Sequence, residues 1–438
     1  MVSAGPRVLV VHNRYRIEGG EERSVDLQLR ALEAAGVEHA AFERRSADAG
    51  RGRAATAMLR GGDRPGELAD AVALLAGAGR PSSSGRGAGS GEHVAATRGS
   101  VSNGRRRVVV HAHNTVPLVG PTGLAAARRA GANVVLHLHN VRIFCATGFG
   151  ERDGGPCRRC RGRNTLPGLV LNCRRSLPEA TVYAAALSAH QPRLLQAVDR
   201  FVAPSAAARD ELAARGLPAE RVDVLGHYLP EESFARRSAA GEGGYALVAA
   251  RLSPEKGIED AVHACVRAGV ALRIAGEGPE RSRLASVARE LGAEVAVDSP
   301  RAPGAIAGAA TGADANPATV SFLGRLSAAA VREELAGAAM VLMPSRYHEF
   351  SPYSALEAMA AGVPVVATAM GGLPELLGEE RCVPIGDIPA FAARVGALWH
   401  DSAARAAEGD ALIARARERH SRERYTADLL SLYGALPS

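Results

Sequence analysis

Two carboxylates eight residues apart, Glu349 and Glu357, lie on either side of Ser351-Pro352. Serine followed by proline reads as a helix N-cap and first helical position, because proline lacks the N–H that would be orphaned there anyway. Glu349 then falls in a loop, and Glu357 about one and a half turns into the helix. Free N–H groups at such a helix start attract an anion, while the flanking carboxylates can accept hydrogen bonds from sugar hydroxyls. Phosphate and sugar recognition would sit side by side. The plain alternative is a solvated Glu357, but the residue leads into Ala358-Met359-Ala360-Ala361-Gly362-Val363-Pro364-Val365-Val366-Ala367, a run with the composition of a core.

Upstream, Ala250-Arg251-Leu252-Ser253-Pro254-Glu255-Lys256-Gly257 follows an apolar run. Two cations at the carboxyl end of a strand could clamp a diphosphate and neutralise its charge. A surface turn with incidental charges is the competing reading. It is weakened because Lys256 is the sole lysine among 53 basic residues, which points to a need for a compact ammonium at this position.

Histidines close two further apolar runs, in His111-Ala112-His113-Asn114 and His137-Leu138-His139-Asn140. Each pair is read as alternating across its strand, at the edge where parallel sheets bind ligands. Satisfied structural histidines are the competing reading. Four of the six cysteines, Cys145, Cys157, Cys160 and Cys173, fall in one segment, and Cys157-Arg158-Arg159-Cys160 has the spacing of a tetrahedral metal knuckle. Zinc held by four thiolates would be structural, since no coordination position stays open. Four reduced thiols are the alternative, while Cys265 and Cys382 read as core.

These residues need strands and helices to carry them. Val8 to Val11, Val108 to His111, Val134 to Leu138, Ala246 to Ala249 and Leu272 to Ala275 alternate with helical patterns, a parallel α/β layout. The first run ends at Gly19-Gly20, after which Val25, Leu29 and Leu32 recur at helical spacing until Gly36. Residues from about 80 to 107 are Gly/Ser/Arg-rich and read as a mobile insertion, and a similar stretch from about 299 to 317 reads as a peripheral loop. The polar segment 231–244 reads as a hinge, giving an N-terminal domain over 1–235 and a C-terminal domain over 245–415. A last helix near 421–433, within the stretch 416–438, carries apolar side chains that suit packing back on the N-terminal domain.

Taken together, Gly19-Gly20, Arg251 with Lys256, Gly276-Glu277-Gly278, Phe322-Leu323-Gly324-Arg325, the Glu349/Glu357 pair and Gly371-Gly372-Leu373-Pro374-Glu375 resemble the retaining GT-B glycosyltransferases of the large group 1 family, of the family 4 type. The likeness is strong from Tyr245 to about Ala392 and weaker but continuous before it, and it extends to a subgroup with the same four-cysteine loop. It implies two Rossmann-like domains with parallel sheets facing across a cleft, and transfer of a sugar from a nucleoside diphosphate to a hydroxyl with retention at the anomeric carbon. By that resemblance Arg251 and Lys256 hold the diphosphate, Glu357 the ribose and Glu349 the sugar hydroxyls, with Phe350 and Ser351 beside them. Gly19 and Gly20 approach the phosphates. His113 orients the donor or handles a proton, and His139 with Asn140 supports it or the acceptor. No cofactor is implied for catalysis. A UDP-sugar is favoured over a GDP-sugar, and the acceptor stays open among small molecules, lipid-linked sugars and oligosaccharides. Pro352 and Tyr353 stand where many relatives carry aliphatics, which leaves the donor sugar open.

The net charge of +7 would also suit a solvated arginine-rich surface, or a nucleic-acid-binding protein with a zinc loop. Binding to nucleic acid leaves the paired glutamates without a purpose, so nucleic acid is not expected as a partner. A phosphorylase or sucrose-synthase-like enzyme on the same fold is a third reading. No apolar run approaches the roughly 20 residues of a membrane span, though peripheral membrane contact stays open. Arg7 to Val11 begins too near Met1 for a secretory signal, and the protein is read as cytoplasmic. Deletion of 82–103 is expected to leave thermal midpoint and turnover close to those of the intact chain, because that composition cannot build a core. A collapse in soluble yield of the deletion variant would contradict this.

Overall fold

The computed structural model describes residues 5–15, 19–77, 107–297 and 318–437. The Gly/Ser/Arg-rich insertion and the 299–317 loop expected from composition lie almost wholly outside these residues. The chain divides into two compact units, each built on a parallel sheet. The first comprises 1–150, 157–226 and 423–438; the second comprises 151–156 and 227–422.

In the first unit, strands β1 (Arg7–Arg14), β2 (His39–Arg45), β3 (Val108–Ala112), β4 (Asn133–His137), β5 (Arg200–Ala203) and β6 (Val222–Val224) lie in the order β2-β1-β3-β4-β5-β6. Val8 to Val11 and Val108 to Val110 are buried without a break, as expected of parallel strands covered by helices on both faces. The helix Gly20–Ala34 follows β1 and buries Val25, Leu27, Gln28, Ala31 and Leu32 on one side. It gives way at Gly36, whose φ of 66° lies in the left-handed region.

The second unit holds β7 (Tyr245–Ala249), β8 (Leu272–Ala275), β9 (Glu294–Val297), β10 (Thr319–Gly324), β11 (Ala338–Met343), β12 (Val365–Thr368) and β13 (Cys382–Val383), in the order β9-β10-β8-β7-β11-β12-β13. Every strand pair in this sheet is parallel. Its core joins Val248, Leu272, Ile274, Phe322 and Leu342 of the strands to Ile258 and Val262 of the helix Ile258–Ala268. Cys265 is buried there too, whereas Cys382 is half-buried.

Two expectations need adjusting. The chain passes between units at Gly226/His227, and the segment read as a hinge belongs to the second unit. Its polar groups are satisfied locally: the Ala235 N–H donates to the Ala360 carbonyl at 2.8 Å, and Ser238 Oγ to the Gly362 carbonyl at 2.6 Å. A glycine-rich stretch tethered in this way is ordered backbone and not a free joint. Second, the helix expected to begin at Pro352 runs Tyr353–Ala360, with extended Pro352 itself at the cap position. The helix Arg422–Gly434 buries Tyr425, Leu429, Leu432 and Tyr433 and, from Glu423 onward, is part of the first unit, in line with the expected packing on the N-terminal domain. There Tyr433 Oη accepts from Gln28 Nε2 at 3.0 Å and lies 2.8 Å from His111 Nδ1.

Candidate functional site

The site residues fall into two groups, one in each unit. In the second unit, the loops that leave β7 and β11 at their carboxyl ends meet at Lys256 and Glu349. Lys256 Nζ lies 2.7 Å from Glu349 Oε1 and 3.0 Å from Tyr347 Oη. Ser345 Oγ donates to Glu349 Oε1 at 2.7 Å, and Tyr347 Oη donates to Glu349 Oε2 at 2.7 Å. Burial opposes the charge on Lys256, yet Glu349 and Tyr347 hold its pKa well above the ordinary lysine range. The same burial, with Glu349 beside it, pushes the Tyr347 phenol up.

Backbone geometry fixes this meeting. Gly257 has φ of 60°, and a Cβ there would lie 2.1 Å from the Pro344 carbonyl oxygen, so the Lys256 turn packs on the Glu349 loop only as glycine. At Gly371, also at φ 60°, a Cβ would lie 2.2 Å from the Glu349 carbonyl oxygen. The next N–H, of Gly372, donates to that oxygen at 2.6 Å, and Thr368 Oγ1 donates to the Ser345 carbonyl at 2.6 Å. Lys256, Ser345, Glu349 and Ser354 line one cavity. No side chain caps the helix that begins beside it at Tyr353, so its first N–H groups suit an anion.

The other residues singled out in this unit are placed less tightly. Arg251 is half exposed and pairs with Glu255, while its Nε donates to Ser253 Oγ at 3.1 Å. Each of the two cations is therefore matched with its own carboxylate. Phe350 is buried, Ser351 is half-buried, and Glu357 is half-buried on the helix Tyr353–Ala360. A cavity of about 290 Å³ nearby is lined by Ser253, Gly257, Glu259, Glu280, Arg283 and Arg346. Its charges are matched too, Arg283 with Glu259 at 2.7 Å and with Glu280 at 3.2 Å.

In the first unit the histidines do not alternate across their strands. Residues two apart in a strand share a face, and the four form one stack. His113 stacks on His111 and His137, with ring centroids 5.0 Å apart in each case, and His137 stacks on His139 at 4.4 Å. The β3–β4 register, pairing Ala112 with Leu136, brings His113 beside His137. His113 Nδ1 lies 2.9 Å from His139 Nε2, and His113 Nε2 lies 2.6 Å from Gln28 Oε1. His111, His113 and His137 bring ligand nitrogens within 4.8 Å of one another. The His113 ring lies near parallel to the other two, at 19° and 24°, while His111 and His137 are tilted by 41°, and both His113 nitrogens are engaged by His139 and Gln28.

Gly19 and Gly20 begin the helix after β1, and Glu22 serves that helix start itself. Its carboxylate accepts from the Gly19 N–H at 2.8 Å and the Tyr15 N–H at 3.0 Å. Burial works against this charge, but His12 and those two N–H groups hold the Glu22 carboxyl below its usual range. Asn140 Nδ2 donates to Glu21, and Asn140 Oδ1 accepts from the Arg142 N–H at 2.9 Å. The four clustered cysteines form no disulfide. Burial, then the neighbouring thiols of Cys145, Cys173 and Cys157, push Cys160 up to about 11. Among the described residues, the side chains whose ligand atoms gather within 4.8 Å of one another are the three histidines and not these cysteines.

Sequence reasoning missed Ser345, Tyr347, Gln28 and Tyr433. Tyr347 carried a signal, a phenol two residues before the glutamate. Tyr433 carried none, since its partner Gln28 is 405 residues away.

Two parallel α/β units with these strand-end loops define a Rossmann-like pair. Residues 19–227 match the glycosyl transferase 4-like domain and residues 244–401 match glycosyl transferases group 1. The two matches together span most of the chain, which belongs to the group 1 glycosyltransferases. It is 30% identical to an exopolysaccharide phosphotransferase of Streptomyces coelicolor over 43% of this chain and 18% of that one. It is 28% identical to the 2-deoxystreptamine N-acetyl-D-glucosaminyltransferase of Streptomyces fradiae over 58% of this chain and 61% of that one. The chain thus spans less than two thirds of the length of either relative. In fold it is similar to the Anabaena protein HepE in complex with UDP, with a TM-score of 0.60 and 15% identity, over 98% of this chain and 100% of that one. The fold is of the GT-B kind. Among the described residues, no helix is long and apolar enough to cross a membrane.

The buried His111 imidazole gives the first unit an acid sensitivity. Burial holds His111 down at about 3, so it stays neutral in the folded chain while the unfolded chain takes up a proton below roughly 6.5. The unfolded state then binds more protons, and stability falls as pH is lowered through that window. The thermal midpoint is expected to drop between roughly pH 7 and pH 5, and His111→Phe to flatten the slope. An unchanged slope in the variant, followed by calorimetry, would remove His111 from this role.

Proposed function

We propose that the protein transfers a glycosyl group from a nucleoside-diphosphate sugar to an acceptor hydroxyl, with retention at the anomeric carbon. The observation that carries this reading is the Lys256–Glu349 pair beside an uncapped helix start. An ammonium has three N–H donors, and Glu349 and Tyr347 use two of them. The third serves a phosphate oxygen. The helix N–H groups and Arg251 add to the anion site, Glu349 accepts from sugar hydroxyls, and Glu357 from the ribose. In the first unit His113, backed by His139 and Asn140, orients the sugar, and Gly19 and Gly20 approach the phosphates. UDP is the favoured carrier, a reading supported by likeness in fold to the UDP-bound Anabaena protein.

In the reaction, the bond from the anomeric carbon to the diphosphate oxygen breaks. The acceptor oxygen bonds to that carbon on the face the diphosphate leaves, and the departing diphosphate takes the hydroxyl proton. Charge builds on the leaving diphosphate, where Lys256 and the helix N–H groups lower the barrier. Cys145, Cys157, Cys160 and Cys173 would hold a structural zinc that braces their loop and has no part in this step.

A panel of sugar nucleotides, scored by release of nucleoside diphosphate on adding hydroxyl acceptors, tests the reading; no release with any donor rejects it. Lys256→Arg is expected to lose roughly 1–3 kcal/mol of transition-state stabilisation, because a planar guanidinium cannot reach Tyr347, Glu349 and a phosphate from one atom. Wild-type turnover in that variant would reject the need for an ammonium. Glu349→Ala should suppress transfer yet keep affinity for the bare nucleotide, since Lys256 is freed, whereas Glu357→Ala should weaken nucleotide affinity in calorimetry. Elemental analysis of purified protein is expected to return about one zinc per chain, and metal-free protein of normal thermal stability would dismiss the site.

A further inference from the structure

Among the described residues, the three most exposed large aliphatic side chains are Val170, Leu166 and Leu177, at 72%, 60% and 59%. All three lie within residues 166–177 of the first unit, in the cysteine-bearing loop and at the start of the helix that follows it. Leu166 and Val170 are four apart on the single turn Leu166–Val170, so they share its outer side. The inner side is anchored. Gly168 is buried, and a Cβ there would lie 3.6 Å from Cys160 Sγ. Thr165 Oγ1 donates to the Ala184 carbonyl at 2.7 Å, and the Cys173 N–H donates to the Gly168 carbonyl at 3.0 Å. Leu177 opens the next helix, Leu177–Ala197. A turn fixed from beneath cannot fold its aliphatic tips inward.

The ground around these tips is basic. From Cys157 to Pro178 the chain has six arginines and no acidic residue. Arg158 and Arg174 reach acids outside that stretch, Glu211 at 2.6 Å and Glu179 at 2.8 Å. Arg161 and Arg163 bind the backbone carbonyls of Ala214 and Ser188, which leaves their charge uncancelled. Arg159 and Arg175 are exposed.

We propose that this loop docks on an anionic lipid bilayer, with Leu166, Val170 and Leu177 entering the headgroup layer and the arginines facing lipid phosphates. Aliphatic tips ringed by arginine suit an interface that is apolar inside and negative outside. A second copy of the chain fits poorly, because the net charge of +7 sets like charge against like. Nucleic acid would leave the aliphatic tips without a role, since bases stack on aromatic rings. The inference stands apart from the proposed transfer reaction, and its test reads partition and not turnover.

The intact chain is sedimented with vesicles of phosphatidylcholine alone and with vesicles in which about a third of the lipid is phosphatidylglycerol. Binding to the anionic vesicles is expected, weakened by salt, with little to the neutral ones. The triple change Leu166→Ser, Val170→Ser, Leu177→Ser should lower partition at least roughly tenfold, as should Arg159→Glu with Arg163→Glu and Arg175→Glu, while Leu74→Ser and Leu291→Ser leave it unchanged. On the unaltered chain, hydrogen exchange over 157–178 should slow when anionic vesicles are added, which keeps the test valid if a variant misfolds. Equal partition to both vesicles, no partition, or exchange unchanged over that stretch overturns the proposal. So does binding to RNA or to an acidic protein that survives the aliphatic changes, with no vesicle partition in the same buffer.

Discussion

The second unit is organised around one buried ion pair, Lys256 with Glu349 at 2.7 Å. Two charges withdrawn from water cost more than their attraction returns unless the remaining lone pairs and protons find partners. Here Ser345 and Tyr347 complete the set, so each carboxylate oxygen is used. The surrounding backbone serves that arrangement. Gly257 and Gly371 allow two loops to approach within van der Waals limits, and Thr368 ties a third strand end to the same spot. Three consecutive neighbours in the sheet, β7, β11 and β12, thus converge chemically at their carboxyl ends.

The first unit handles buried polarity by the opposite route. Its strand-end histidines are stacked face to face, and burial keeps His111 neutral. Gln28 and Tyr433 supply hydrogen-bond partners from two different helices. The two units therefore differ in what would disturb them. One depends on a charge that must stay paired, the other on a His111 ring that must stay uncharged.

The strand-end positions of these residues were legible because parallel strands covered on both faces read as unbroken apolar runs. Val8 to Val11 and Val108 to His111 announced themselves, and the chemistry-bearing residues follow directly after such runs. The lone lysine was legible for a different reason, its rarity. What could not be read was anything set by meeting in space. Nothing local links Gln28 to Tyr433, and nothing in 231–244 says that its polar backbone docks on the helix Tyr353–Ala360 and the turn after it. The histidine stack was misread because residues two apart in a strand look along the same face, and only the β3–β4 register says which rings then meet. Tyr347 was overlooked because a phenol in a loop announces no partner until Lys256 and Glu349 are both in view.

The helix Arg422–Gly434 follows the second unit in the chain, yet from Glu423 onward it lies in the body that residues 1–150 and 157–226 build. Protein synthesis runs in one direction, and domains commonly fold as they emerge. Here the first unit cannot do so fully: Tyr425, Leu429 and Tyr433, which close over its interior, leave the ribosome only after the whole of the second unit. Until then His111 and Gln28 lack the phenol that joins them. The second unit, complete by Arg422, is therefore free to reach its final form first, although it is made later. A ribosome that stops at Arg422 would release a chain whose second unit is whole and whose first unit is unfinished.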